Sequence, residues 1–394
     1  MSGNGERQKI PFDADRLDQL LDEAGIDVLL VSSKHNVQYL LGGYRFFFFD
    51  YMDAIGRSRY LPILVYPKGA PEKAAYIGYR LEKHEKEARG FWVPEMRPAS
   101  SGTLDAMQMA VEHVQRLGLG SGRIGIETAF LPADAYEALR EALPQSRVTN
   151  AITPLERLRA VKTPDELGKL REASERVIDS MLAVVGGHGP GATKRQLVDA
   201  LKREEVGRGL TFEYCLITAG TSLNRSPSDQ VWQQGDILSL DSGGNYHGYI
   251  GDVCRMAILG EPDGELQELL GEVDAIQQAA MRPVRAGVRG GEIYAGAEAA
   301  IGRSPRREHI EFVAHGMGLI SHEVPHLTDR GPVQYTAEDA ERPLQAGMVL
   351  SIETTLLHPR RGFIKLEDTV AVGPDGFELL GDRGRDWNRG NLAA

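Results

Sequence analysis

The sequence predicts an α+β chain of two domains: a smaller α/β domain over residues 1–155, then a domain over residues 156–394 whose strands carry helices along one side. Three observations predict this. The 394 residues exceed the usual span of one domain, about 100–200 residues. Short helical and strand signals alternate through the first part, whereas the second gathers long amphipathic stretches and separate strand segments. Between them, Thr163-Pro164-Asp165-Glu166 joins a capping hydroxyl, a proline at the first helical position and a capping-box carboxylate, so a new helix starts there.

In the first domain, Leu17, Leu20, Leu21 and Ala24 recur at helical spacing and the apolar run Val28–Val31 follows as a strand. Further strands are expected at Leu61–Tyr66, Ala74–Ile77 and Arg123–Ile126, with a helix from Leu104 to Leu117, which makes a largely buried sheet. No acid/base cluster or metal-ligand spacing occurs there. The run Phe46-Phe47-Phe48-Phe49 reads as core or subunit interface, or else as an apolar wall toward a partner's site. In the second domain, the helix after Thr163 buries Leu167, Leu170, Ala173, Val177, Ile178 and Met181. A second helix covers Thr193–Val206, and a third presents Leu266, Leu269, Leu270, Val273 and Ile276. These stripes are core. Strands are expected at Asp236–Leu240, Tyr249–Leu259, Met348–Leu356 and Gly362–Val372.

Composition narrows the function. Hydrophobic residues at 42% and charged residues at 26% are those of a globular protein. A net charge of -11 argues against nucleic acid as main partner, since phosphate binding needs a basic face. No apolar run approaches membrane-spanning length, and the N-terminal stretch is too polar for a secretory signal. Two cysteines, Cys215 and Cys254, supply no disulfide framework, and the cytoplasm is the expected location.

The chemistry concentrates in the late strands. Asp241 ends one strand and Asp252 lies eleven residues on, across a segment of turn formers, so the two segments pair as neighbouring antiparallel strands. Two aspartates so spaced are, alone, more often solvated turn residues. Glu353 and Glu367, however, interrupt apolar, β-branched strand sequence, where an unpaired charge would cost several kcal/mol. Strand alternation puts Val349, Ser351 and Glu353 on one side, and Lys365 with Glu367. His315 sits among glycines that let the chain fold tightly. If the four carboxylates converge, each pair about 4 Å apart repels by roughly 4 kcal/mol at an effective dielectric near 20. Such a cluster takes up protons or cations. Oxygen donors with one imidazole suit Mn²⁺, with Co²⁺, Zn²⁺ or Fe²⁺ as alternatives. Five ligands exceed what one ion needs, and two ions about 3.5–4 Å apart is the simplest arrangement.

With these residues in view, the chain resembles the creatinase, prolidase and aminopeptidase P group of the pita-bread metallopeptidase superfamily over nearly its whole length. The resemblance rests on Asp241 and Asp252 in DSGGNYHGYIGD, His315 in AHGMGLISHEVP, Glu353 in MVLSIET and Glu367 in KLEDTV, all in the family's order. It implies a creatinase-type N-terminal domain, a pita-bread catalytic domain and a homodimer. It also implies a metal-activated water attacking an amide carbonyl, proton relay by Glu353, and His322 in contact with substrate. The chain departs from the family pattern at four positions: Asn224 stands where peptidases carry a further histidine, Thr354 follows Glu353 in place of proline, Lys365 replaces an arginine, and Cys254 a threonine. These bear on how substrate is held and leave the ligands intact.

His322, His326, Asn224 and Lys365 are therefore the expected substrate-binding residues, and His322 and Glu353 the catalytic ones. HEVPH also fits the zinc-protease pattern H-E-x-x-H, but that pattern needs a helix and Pro325 would break one. His247 is expected in solvent at a turn, and Cys254 as a buried, inert thiol facing the same way as Asp252. Three functions are weighed. An Xaa-Pro dipeptidase or aminopeptidase fits the ligands, with a peptide as substrate. A small-molecule amide hydrolase or lyase on the same site is favoured by Asn224 and the missing Glu-Pro. A binding module without turnover would show lost ligands, and none is lost.

Overall fold

The computed structural model describes residues 9–54, 56–330 and 335–393. Two compact units emerge, one running to Arg159 and the other from Ala160, so the helix Ile152–Arg159 belongs wholly to the first.

The first unit contains helices α1 (Ala14–Glu23), α2 (Lys34–Leu40), α3 (Lys83–Ala88), α4 (Thr103–Arg116), α5 (Ala133–Ala142) and α6 (Ile152–Arg159). They surround strands β1 (Val28–Val31), β2 (Ile63–Pro67), β3 (Ala75–Tyr79), β4 (Glu95–Ser100), β5 (Arg123–Ile126) and β6 (Arg147–Asn150), ordered β4-β3-β2-β1-β5-β6. The sheet is buried on both faces because alternate residues enter two cores. Leu29 and Val31 pack with Leu17 and Leu155, while Val28 and Leu30 pack with Ala106 and Leu139. Its buried carboxylates are engaged in structure: Glu82 accepts from the Tyr44 and Tyr76 hydroxyls at 3.0 and 2.8 Å, and Glu127 from the Ser33 amide at 2.8 Å. The phenylalanine run divides, with Phe46 and Phe49 in the core and Phe47 58% exposed.

The second unit opens with α7 (Pro164–Gly187), whose capping box is complete: the Thr163 hydroxyl accepts from the Glu166 amide and Glu166 accepts from the Thr163 amide. Helix α8 (Lys194–Gly207) starts at Thr193 in the same way, with Gln196 in place of the glutamate. Strands β7 (Thr211–Ala219), β8 (Ile237–Tyr246) and β9 (Tyr249–Ile258) precede α9 (Gly264–Met281) and α10 (Gly291–Ile301). Strands β10 (Ile310–Gly316), β11 (Val349–His358), β12 (Gly362–Val372), β13 (Phe377–Leu379) and β14 (Asn388–Arg389) complete the unit. The main sheet runs β10-β11-β12-β9-β8-β7, antiparallel throughout.

One face of this sheet is filled by helices. Ile364 and Leu366 of β12 share a core with Leu269, Leu270 and Val273 of α9. On β9, a side chain at Gly251 would lie within 2.4–2.7 Å of the α7 backbone at Ala173 and Ser174, so only glycine admits the helix there. Glu367 and Asp252, one residue further along their strands, therefore point to the opposite face. His247 is exposed in the β8–β9 turn at φ 51°. Among the described residues, no helix is long and apolar enough to cross a membrane.

Candidate active site

Register assembles the cluster. Glu353 pairs with Glu367, Glu367 with Cys254, and Cys254 with Asp241, so one row crosses β11, β12, β9 and β8 with side chains on a common face. Asp252 and Lys365 lie two residues before Cys254 and Glu367 and share that face, as does His315, paired with Ser351. A cavity of about 670 Å³ opens on it, and Asp241, Asp252, His315, His322, Glu353, Lys365 and Glu367 all line it.

Burial and charge fix the state of these groups. Asp241 is held above the usual carboxylate range by burial, against the pull of the Lys365 ammonium. Asp252 is pushed well above it by burial and by the Glu367 and Asp241 charges, the Tyr214 hydroxyl pulling the other way. His315 drops to about 4 through burial and is neutral. His322, its ring parallel to that of His315 with centroids 3.7 Å apart, also falls to about 4, by burial and then by its neighbour. The Lys365 Nζ lies 2.7 Å from Asp241 Oδ2 and 2.8 Å from Glu367 Oε2, and it also pairs with Glu353. Burial opposes its charge, but these three carboxylates outweigh that and hold the ammonium well above the usual lysine range. Arg225 pairs with Asp241 from the side, its guanidinium over the Phe363 ring.

A divalent cation fits this donor set. Ligand atoms of Asp252, His315 and Glu367 lie within 4.8 Å of one another. Asp252 Oδ1 and Glu367 Oε2 are buried without a hydrogen-bond donor, and the contact of Glu367 Oε2 with Lys365 is an ion pair of poor hydrogen-bond geometry. Glu353 Oε1 is 3.9 Å from His315 Nε2, and the Ser351 hydroxyl donates to Glu367 Oε1 at 2.7 Å. Anionic oxygens left unpaired in a buried pocket are costly unless a cation or proton joins them.

Two expected substrate residues stand elsewhere. Asn224 is exposed and does not line the cavity: its carbonyl accepts from Lys194 Nζ at 2.5 Å and its Oδ1 from the Ser226 amide at 2.9 Å. His326 stacks on Tyr335 at 4.3 Å, 3.7 Å from Glu338, outside the cavity lining. Residues 322–326 form no helix, which removes the H-E-x-x-H reading. Cys254 is buried, its thiol held high by burial and 3.4 Å from the Ser239 hydroxyl. The cavity also recruits Tyr214, Leu216 and Arg225, which the sequence reading passes over. The alternation of Phe212, Tyr214 and Leu216 was a usable strand signal; nothing local marked Arg225.

Comparison with known proteins points the same way. The profile of metallopeptidase family M24 matches residues 168–374, and that of the creatinase/prolidase N-terminal domain matches residues 14–161. An uncharacterized peptidase of Bacillus subtilis is 24% identical over 374 residues, covering 93% of this chain and 96% of its own. The Xaa-Pro dipeptidase of Lactobacillus helveticus is 24% identical over 384 residues, covering 94% and 97%. In structure, the Xaa-Pro dipeptidase from Bacillus anthracis superposes with a TM-score of 0.79 at 22% identity, over 95% of this chain and 98% of that one.

Proposed function

Because the chain belongs to metallopeptidase family M24, carrying a creatinase/prolidase N-terminal domain, we propose that it is a metal-dependent peptidase that cleaves Xaa-Pro bonds as a dipeptidase or aminopeptidase. One observation carries the reading: carboxylates from four strands and a neutral histidine meet on one sheet face around a cavity, with the buried Asp252 Oδ1 left unpaired. Relatives named Xaa-Pro dipeptidase support the choice of bond.

Asp252, His315, Glu353 and Glu367 would hold a divalent cation, which would supply Lewis-acid chemistry to an amide carbonyl and to water. Glu353 has the most accessible carboxylate of that group, 14% exposed against 2% for Glu367, and is placed to take the proton from water and return it to the leaving nitrogen. His322 lines the cavity and, being neutral, carries one ring N–H suited to donate to a substrate carbonyl. Leu216, Phe312, Val313 and Phe363 supply the apolar wall that a prolyl ring or hydrophobic side chain would contact.

The donors suit Mn²⁺, with Co²⁺, Zn²⁺ or Fe²⁺ as alternatives. A cytoplasmic location accords with two buried, unpaired cysteines, and a homodimer with the family resemblance. The deciding experiment incubates chelator-stripped and Mn²⁺-loaded protein with Xaa-Pro dipeptides and longer Xaa-Pro peptides. Release of the N-terminal residue only in the loaded sample is expected. Silence on both peptide classes with metal binding intact would turn the assignment to a small amide substrate.

A further inference from the structure

Five ligands in the sequence predict two ions, but the charges present do not leave room for both. We propose that the site holds one divalent cation per chain, because the ammonium of Lys365 is a built-in second cation; this rests on the metallopeptidase reading above. Three carboxylates from three strands, Asp241, Glu353 and Glu367, converge on Lys365 Nζ, with distances of 2.7 and 2.8 Å to the first and last. That is the environment a second metal would need, occupied by a group covalently tied to β12.

Asp241 is engaged from two sides at once, by Lys365 and by Arg225. It is absent from the group of donors lying within 4.8 Å of one another, which comprises Asp252, His315 and Glu367. Asp252 Oδ1, buried with neither a hydrogen-bond donor nor a cation beside it, belongs to that same group. The charge count agrees. Four carboxylates (Asp241, Asp252, Glu353, Glu367) against two cations (Lys365, Arg225) leave a deficit of two, which one divalent ion balances, whereas two would leave an excess of two positive charges, halved once Lys365 is removed. The ammonium has nowhere better to go: its side chain is 4% exposed, and leaving the cluster would strand buried charges on both partners. Asp241 is then an anchor for Lys365, acting on the metal at one remove.

The test is metal stoichiometry rather than turnover. Chelator-stripped wild-type protein is equilibrated with Mn²⁺, freed of excess by gel filtration and analysed for metal per folded chain. Electron paramagnetic resonance then distinguishes an isolated ion from an exchange-coupled pair. One ion with an isolated-ion spectrum is expected, and two coupled ions in wild type would overturn the proposal. Lys365→Met should double the bound metal to two per chain, and a content that stays at one refutes the role of the lysine. Should that variant fail to fold, Asp241→Asn serves instead: metal content unchanged at one supports the proposal, and loss of the bound ion contradicts it. Wild type that binds no metal at all would sink the peptidase reading itself, an outcome distinct from binding two.

Discussion

Glu205 is wholly buried beneath β8, where it accepts from the Ser242 hydroxyl at 2.9 Å, and burial pushes its carboxyl up to about 8. Folded protein thus keeps a proton that unfolded chain gives up near pH 4.5, so this residue costs stability increasingly as pH rises from about 4.5 to about 8. Glu205→Gln, which mimics the protonated form, should raise the melting midpoint at pH 8.5 by on the order of 5 °C and leave it nearly unchanged at pH 5, as calorimetry at both values would show. Ser351 acts through Glu367, donating at 2.7 Å. Ser351→Ala should weaken Mn²⁺ binding by about 10–100-fold in isothermal titration, with the circular dichroism spectrum unchanged. At this scale the sequence was most legible where it violated its own context: Glu353 and Glu367 stand out because apolar strands rarely carry charge. Arg225 was opaque because it reaches Asp241 from the irregular segment between β7 and β8, and Tyr214, though its strand was legible, owes its place in the cavity to pairing across β8.

Helix starts were readable for a related reason, since capping is local chemistry. Thr163 caps as Glu166 foretells, and Thr193, the expected start of the second helix, caps with Gln196 in the same way. Thr163→Ala should cost about 1 kcal/mol in urea denaturation. Gly251 is the sharper test of packing, because a methyl group there meets the α7 backbone, which cannot move aside alone. Gly251→Ala is expected to destabilise the second unit by about 1–3 kcal/mol, measured as a lower denaturant midpoint at unchanged slope. Strands β7 and β10, absent from the sequence reading, are the two ends of the main sheet of the second unit, and the likewise absent β4 and β6 are the two edges of the first. Half-exposed edge strands carry fewer apolar residues, as in the mixed burial of Ile310–Gly316, and so give a weaker periodic signal than the buried β9 or β12.

For the molecule as a whole, the cation should report on one unit only. Every candidate donor lies beyond Ala160, so Mn²⁺ at a hundred times its dissociation constant should add about 2.7 kcal/mol to that unit alone. In a thermal scan one transition should move up by about 5–10 °C on loading and return on chelation, while the other stays in place. Two shifted transitions would show that both units respond to the ion. Domain count and order were legible because length and element pattern are additive along the chain. Self-association was not, since complementary surfaces leave no periodic trace. The pairing row through Asp241, Cys254, Glu367 and Glu353 has a last consequence, for what genetic change the chain can absorb. Residues added at the exposed turn around His247 leave each donor facing inward, whereas deleting a single residue inside one of these strands turns its donor to the helix side. Descendants of this gene should therefore differ in hairpin length freely and in the strand segments around these donors almost never by one residue.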